Sequence, residues 1–375
     1  TFEDIKRNNY QLAAWFSVNT QRNSEFVNYI LHSEGKSDTL SINQKSLNNL
    51  GKWNVLGNFE IGPRDTLEII GAAEGKFITD AIRLVAKKDS PVLPKRGDLR
   101  IAVISDLNSG LGAANYEWQV DSIINRIPKV WQPDLVICGG DMVAGMGVSE
   151  TAQLQKMWNG FKKHIIEPLH KEKIPFAFTL GNHDGPRSYP VEHKFAKNFW
   201  KENIDKTGLH FIDESNFPNY YSFIAKNNFF VSWEASSSKI TEENLEWLKE
   251  QFQTPEAKNA PNRFVIGHMP LYSVAQERDS KGNVLENAKE LQHLLEKYKV
   301  KTYISGHQHA YYPGKRGKVE FLNTGAAGSG PRSWLTQSRE PVNTITIMDI
   351  FNSKDSIVYS TYDIKKDKAA EMSLF

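Results

Sequence analysis

The first 88 residues consist of short segments rich in β-branched and aromatic side chains. Gly, Asn, Ser and Asp separate these segments at intervals of roughly ten residues, which is typical of an antiparallel sandwich. No helical period appears in this part of the chain. The pattern predicts six strands, at residues 10–17, 26–31, 38–43, 53–59, 65–70 and 77–85.

A charged stretch with two prolines and a glycine follows these strands, and such a composition is typical of a linker. From residue 99 onward, continuous apolar runs alternate with segments of helical spacing. The pattern therefore predicts a β-sandwich domain at residues 1–88, a linker at 89–98 and a second domain at 99–375.

The second domain is predicted to be a layered α/β domain with a mixed sheet, because strands and helices alternate first and strands alone follow. Thr241 is a candidate N-cap for the third of its helices. The helices are expected at residues 117–130, 151–170, 241–252 and 285–298. The strands are expected at 100–105, 134–138, 176–180, 263–266, 301–305, 319–323, 343–351 and 356–362.

Composition excludes several classes of protein. A chain of 375 residues is long enough for two domains, and 39% hydrophobic with 24% charged residues is ordinary for a globular protein. The net charge of +2 argues against a nucleic-acid-coating protein, and no apolar run is long enough for a transmembrane helix. Cys138 is the only cysteine, which excludes an intrachain disulfide and a cysteine-based zinc site.

Polar clusters directly follow five of the predicted strands. Because open α/β sheets bind ligands at the carboxyl ends of their strands, we expect these clusters to converge. Their glycines would let the backbone turn sharply close to a ligand. The clusters are Ser105-Asp106-Leu107-Asn108, Gly139-Gly140-Asp141, Gly181-Asn182-His183-Asp184, Gly267-His268-Met269-Pro270 and Ser305-Gly306-His307-Gln308-His309.

The clusters combine carboxylate, amide and imidazole groups, which suits Mn, Fe or Zn better than Mg or Ca. Seven such groups are too many for one tetrahedral ion. They fit two ions about 3.5–4 Å apart that share a carboxylate. The candidate ligands are Asp106, Asn108, Asp141, Asn182, His268, His307 and His309.

The ordered series Asp-x-Asn, Gly-Asp, Gly-Asn-His-Asp, Gly-His and Gly-His-x-His resembles the calcineurin-like metallophosphoesterase superfamily over about residues 100–351. The resemblance implies a four-layer αββα sandwich of two mixed sheets. It also implies that Asp141 bridges two ions. The remaining ligands would then divide into Asp106 and His309 for the first ion and Asn182, His268 and His307 for the second.

Two positions depart from the family pattern. The first cluster usually reads Asp-x-His, and here Asn108 replaces the histidine. Asn108 either binds the first ion more weakly than imidazole or only holds its loop. Purple acid phosphatases carry a tyrosine three residues after the bridging aspartate. Because Ala144 occupies that position, no tyrosinate-to-iron colour is expected.

The resemblance implies hydrolysis of phosphate esters by metal-activated hydroxide, with His183 as the general acid and Asp184 as its candidate orienting partner. Arg187 and Arg332 are candidate phosphate clamps, or else solvated loop charges. Monoester and diester substrates both stay open, and charge indicates no nucleic-acid groove. The alternative is a binding protein with a degenerate metal centre whose β-sandwich attaches to glycans or surfaces.

The first domain resembles the β-sandwich at the C-terminus of golvesin and xanthan-lyase-type proteins. The residues that carry this resemblance are those at 53–59 and 75–85. Such modules accompany exported enzymes, which implies a periplasmic or secreted setting and contact with glycans or a cell surface. A packing module that shields the second domain, and a cytoplasmic setting, are the alternatives.

Overall fold

A computed structural model describes residues 2, 5–17, 24, 26–46, 49, 51–71, 77–86, 93–336, 340–365 and 368–369. The chain divides into two compact units, Thr1–Ser90 and Pro91–Phe375. Residues 89–92 of the expected linker, and residues 75–76 of the golvesin-like motif, lie outside the described residues.

The first unit is built from two three-stranded antiparallel sheets, with strand orders β4-β1-β6 and β3-β2-β5. Ala14 of the first sheet packs with Val27 and Tyr29 of the second, so the apolar faces of the two sheets form a shared core. The predicted small β-sandwich is therefore confirmed. Its strands are β1 (Asn8–Trp15), β2 (Val27–Ser33), β3 (Lys36–Ile42), β4 (Trp53–Ile61), β5 (Thr66–Gly71) and β6 (Ala81–Ala86).

The second unit contains two mixed sheets in its described residues. The strands are β7 (Leu99–Ile104), β8 (Leu135–Cys138), β9 (Phe176–Phe178), β10 (His210–Asp213), β11 (Tyr221–Ala225), β12 (Asn228–Ser232), β13 (Arg263–Ile266), β14 (Val300–Ser305), β15 (Tyr311–Arg316), β16 (Val319–Thr324), β17 (Thr344–Phe351), β18 (Ser356–Asp363) and β19 (Lys368–Ala369). One sheet has the order β19-β18-β17-β7-β8-β9 and the other β10-β11-β12-β13-β14-β16-β15. Strands β7, β8 and β9 are parallel, as are β12, β13, β14 and β16.

Helices cover the outer face of each sheet. The helices are α1 (Trp118–Arg126), α2 (Thr151–Phe161), α3 (Glu167–Lys171), α4 (Pro190–Asn203), α5 (Glu242–Gln251), α6 (Pro255–Asn259) and α7 (Ala288–Lys297). The largest core joins the inner faces of both sheets and reaches α1, α2 and α4. A second core lies between the seven-stranded sheet and helices α5, α6 and α7. The predicted four-layer αββα sandwich is confirmed.

The predicted helices form with small changes at their ends. The Thr241 hydroxyl accepts a hydrogen bond from the Asn244 amide at 3.3 Å, so it caps α5 as expected. The helix predicted at 151–170 forms as α2 and α3, joined by a π-helical turn at Lys162–Ile166. None of the helices described above combines the length and the apolar character needed to cross a bilayer.

Seven of the described elements were not predicted from the sequence, because their local signals are weak. Strands β11 and β12 are joined by Lys226-Asn227, both at positive φ, instead of the usual Asn-Gly turn. Strand β15 contains Pro313, which is tolerated because β15 is an edge strand. The remaining missed elements are the helices α4 and α6 and the strands β10 and β19.

Candidate metal centre

The five polar clusters meet at one edge of the paired sheets, where their turns are hydrogen-bonded to one another. The Asp106 amide donates to the Gly140 carbonyl at 2.9 Å, and the Leu107 amide donates to the Asp141 carbonyl at 2.9 Å. The Gly306 amide donates to the His268 carbonyl at 3.1 Å. Clusters that are far apart in the chain therefore form one continuous loop assembly.

The backbone at this edge is strained. Asp106, Asp141, His307 and His309 have φ values of 51°, 54°, 64° and 55°, in the left-handed region that residues with a Cβ rarely adopt. Gly140, at φ 98°, also has no room for a Cβ, which would lie 2.6 Å from Nδ1 of His268. Strain of this kind persists where the surrounding structure enforces it, and it clusters at functional sites.

Asp106 and His309 form the first group of candidate ligands. An oxygen of Asp106 lies 3.2 Å from Nε2 of His309, and both side chains are largely buried. Nδ1 of His309 donates to the Gly330 carbonyl at 2.8 Å, which leaves the Nε2 lone pair facing Asp106 in the neutral ring. Burial acts to lower the pKa of His309, but the Asp106 charge outweighs it and raises that pKa.

Asn182, His268 and His307 form the second group. Oδ1 of Asn182 lies 2.9 Å from Nε2 of His268 and 3.0 Å from Nδ1 of His307. Nδ1 of His268 donates to the Gly139 carbonyl at 2.8 Å, so in the neutral ring the Nε2 lone pair faces Oδ1 of Asn182. Nε2 of His307 lies 3.1 Å from Oδ1 of Asn283, and in the tautomer that donates to this oxygen Nδ1 presents a further lone pair to Asn182. Such a set of donors fits a bound cation, because a positive charge removes their mutual repulsion.

Asp141 lies between the two groups. Its Oδ1 is 3.4 Å from Nε2 of His268 and accepts a hydrogen bond from the His183 amide at 2.9 Å. Asp106, Asp141 and His268 each offer a ligand atom, and these atoms lie within 4.8 Å of one another. This spacing places a carboxylate where it can contact both groups of ligands.

Asn108 lies at the same turn, with its amide donating to the Asp141 carbonyl at 3.2 Å. Its side chain is buried, and Oδ1 has no hydrogen-bond partner among the described residues. An unpaired buried carbonyl oxygen is costly unless a ligand satisfies it. The donor set therefore fits a metal centre, and the specific role of each of the seven side chains stays a prediction.

His183 and Asp184 follow Asn182 but make different contacts. Nδ1 of His183 donates to the Gly145 carbonyl at 2.7 Å, so this carbonyl, and not Asp184, orients the ring. The two oxygens of Asp184 accept from the amides of Val143 at 2.9 Å and Gly181 at 2.8 Å. Burial, together with the Asp141 charge, raises the pKa of Asp184 to about 7. Asp184 therefore joins two loops of the centre.

The two arginines predicted as phosphate clamps have different surroundings. Both Nε and Nη2 of Arg187 lie 2.7 Å from the same oxygen of the buried Glu234, so this guanidinium is already paired. Arg332 donates its amide to the His309 carbonyl at 2.9 Å. Its Nη1 contacts the exposed Glu277 at 2.8 Å, while its buried Nε has no partner among the described residues.

Arg278 is a site residue that the sequence did not reveal. Its Nη1 lies 3.1 Å from Oδ1 of Asn283, the atom that also accepts from His307, and 3.4 Å from the His307 ring. Burial lowers the pKa of Arg278, the nearby Arg332 lowers it further, and Asp106 and Asp141 oppose both. Arg278 lies in a polar loop without a motif, so only the three-dimensional contacts identify it.

Comparisons with known proteins agree with this geometry. A family model described as calcineurin-like phosphoesterase matches residues 99–311. Human tartrate-resistant acid phosphatase type 5 is 24% identical over 198 residues, which cover 50% of this chain and 58% of that protein. The chain therefore spans little more than half the length of this curated relative.

A solved structure of the purple acid phosphatase PPD1 from yellow lupin (Lupinus luteus) superimposes with a TM-score of 0.53 at 14% identity. The match covers 97% of this chain and 73% of that one, and it supports the same fold. The family match confirms the predicted metallophosphoesterase class, and membership implies divalent metal ions. The chain belongs to the calcineurin-like phosphoesterase family.

Proposed function

We propose that this protein is a metal-dependent phosphohydrolase with two ions at the candidate centre. The observation that supports it is the convergence of oxygen and imidazole lone pairs from five loops around Asp141. The first ion would be held by Asp106, Asn108 and His309. The second ion would be held by Asn182, His268 and His307, and Asp141 would bind both ions. Mn, Fe and Zn are the candidate metals.

Bound ions would neutralise substrate charge and lower the pKa of water. The protein itself would contribute a proton donor. The Gly145 carbonyl fixes Nδ1 of His183 as protonated, so Nε2 can carry the proton that passes to the leaving oxygen. General acid catalysis of this kind contributes about 10²–10⁴-fold to the rate.

Arg278 and Arg332 would bind the phosphate oxygens beside the histidine ligands. Two guanidinium groups match the charge of a phosphate monoester dianion better than that of a diester, which carries a single charge. The name of the human relative, an acid phosphatase, agrees with a monoester substrate. We therefore propose a preference for monoesters.

Hydrolysis of p-nitrophenyl phosphate and bis-p-nitrophenyl phosphate by metal-stripped protein titrated with Mn²⁺ tests both parts of the proposal. Turnover that is restored by metal, with kcat/KM higher for the monoester, is the expected result. Restored turnover that favours the diester would overturn the monoester preference alone. Folded protein without turnover for any of Mn²⁺, Fe²⁺ or Zn²⁺ would overturn the hydrolase and favour the binding-protein alternative.

We also propose that the first unit is a golvesin-like module that contacts glycans or a cell surface, and that the protein is exported. Its two-sheet architecture supports a β-sandwich module. Glycan-array binding of the full chain tests this proposal, and an array without any specific signal would leave the module a packing role only.

A further inference from the structure

The second unit contains a cavity of about 490 Å³ that none of the candidate metal ligands lines. Its walls are formed by the segments 270–274 and 334–336, by strand β15 and by three residues of β14 and β16. Small-molecule sites typically enclose about 300–1,000 Å³. The cavity is therefore large enough for a ligand of its own.

Rigid aromatic rings line this cavity in two pairs. Tyr272 and Phe321 meet edge to face with 5.6 Å between ring centroids, and Tyr312 and Trp334 do so at 5.5 Å. The Tyr272 hydroxyl donates to the Gln292 side chain at 2.6 Å, and the Trp334 indole donates to the Tyr311 carbonyl at 2.8 Å. These bonds hold the rings in place, so they present fixed surfaces on which another planar ring can pack.

The charged residues that line the cavity are all basic. Lys315 and Arg316 are its charged members, and no carboxylate lies among the lining residues. The Arg316 guanidinium lies 4.0 Å from the Tyr272 ring centroid, which fixes it over an aromatic face. Within the described chain, neither cation forms a side-chain ion pair. The nearest strand partner with a carboxylate, Glu320 opposite Lys315, lies outside the lining, and its side chain accepts from the Tyr359 hydroxyl. Two cations beside aromatic walls therefore complement an anion attached to a ring.

The polar floor of the cavity adjoins the metal-binding turn. Ser305 and Asn323 are both buried, and the Ser305 hydroxyl donates to the Asn323 side chain at 3.3 Å. The amides of Val274 and Ala275 donate to Oε1 of Gln308 at 3.1 Å each, so the wall segment is attached to the turn between His307 and His309.

We propose that this cavity is a binding site for a small ligand that combines a planar aromatic ring with an anionic group. The ring packs between the tyrosine and tryptophan side chains, and the anion pairs with Arg316 and Lys315. The site is distinct from the phosphate-binding position at the metal centre, so the inference does not depend on the proposed hydrolysis.

Isothermal titration calorimetry of the metal-stripped full chain with naphthalene-2-sulfonate tests the site, because this probe is no phosphate ester. We expect saturable binding, and at least roughly tenfold weaker binding of naphthalene-2-methanol, which lacks the charge, and of cyclohexanesulfonate, which lacks the aromatic ring. Equal affinity for the neutral alcohol would overturn the assignment of an anion site. An absence of saturable binding would overturn the site itself.

Substitutions in the cavity lining test whether naphthalene-2-sulfonate binds there. The double substitution Lys315→Gln, Arg316→Gln changes two exposed side chains of β15, so the fold is expected to persist, and it should weaken naphthalene-2-sulfonate binding by roughly tenfold or more. Trp334→Phe should weaken binding while preserving an aromatic wall. Arg263→Gln, which changes a cation bonded to the Ala257 carbonyl, is the matched control and should leave affinity unchanged. Unchanged affinity in the double variant would overturn the location.

Discussion

The surroundings of Asp65 in the first unit and the candidate metal centre in the second place buried polar groups in opposite ways. In the first unit, the buried Asp65 accepts hydrogen bonds from the Gly62 amide at 2.7 Å and the Ser33 hydroxyl at 2.8 Å, and it contacts Arg7 at 3.3 Å. In the second unit, Oδ1 of Asn182 instead faces ring nitrogens of His268 and His307. The polar groups around Asp65 satisfy one another, whereas those at the candidate metal centre are arranged for a ligand.

Backbone strain follows the same division. The described positive-φ residue of the first unit that is not glycine is Glu34, in the exposed turn between β2 and β3. In the second unit, four candidate ligands have positive φ and lie at buried strand ends. The difference indicates that the second unit trades local stability for a preformed site at its strand ends.

The largest expected effect comes from changing Asp141, the carboxylate between the two groups of ligands. Asp141→Asn keeps the shape and the acceptor for the His183 amide but removes the charge that would bridge two ions. We expect kcat/KM to fall by about 10³-fold or more and the bound metal to decrease. Metal content is measured by mass spectrometry beside phosphatase assays. Wild-type turnover and metal content together would contradict the dinuclear centre.

His183→Ala should have the next largest effect, with metal content unchanged. We expect a loss of about 10²–10⁴-fold for alkyl phosphates, whose leaving oxygen needs a proton, and a smaller loss for p-nitrophenyl phosphate. The comparison is made through kcat/KM for both substrates. His210→Ala, on the exposed start of β10, is the control. Equal losses for both substrates would show that His183 is not the acid.

Asn108→His tests the departure from the family pattern. If the unpaired Oδ1 of Asn108 faces the first ion, imidazole in its place should tighten that ion by about tenfold. Competition with a chelator while Zn²⁺ occupancy is followed measures this change. An unchanged affinity for the more weakly bound ion would assign Asn108 to the loop alone.

The smallest effect on activity is expected from Asp65→Ala in the first unit. Loss of its hydrogen bonds should destabilise that unit by about 1–3 kcal/mol while kcat/KM stays unchanged. Burial alone would raise the pKa of Asp65, but the bonds from Gly62, Ser33 and Arg7 lower it overall. A lowered pKa means that the carboxylate stabilises the fold above its ordinary pKa and loses this effect as pH falls. The difference between wild type and variant in thermal unfolding should therefore shrink in acid, and a constant difference would contradict this account.

Much of the architecture could be predicted because its signals are local. The apolar run at residues 101–104 in β7 indicates a strand buried on both faces, and a polar cluster directly follows it. Helix α4 was missed because few of its positions are both apolar and buried, namely Ala196, Phe199 and Trp200. The contacts of Arg278 with Asn283 and His307 depend on the path of a long loop, which no periodicity records.

Local patterns in the sequence were enough to predict the sandwich of the first unit, the layered fold of the second and the set of side chains available for a metal centre. Strand period, strand-end glycines and residue chemistry are properties of neighbouring residues, so they can be read in order along the chain. The packing of distant segments, by contrast, sets which backbone carbonyls hold His268 and His309, that Gly145 and not Asp184 orients His183, and that Arg278 lies beside His307. These contacts join residues that are distant in the chain, and their geometry is set when the two sheets pack together.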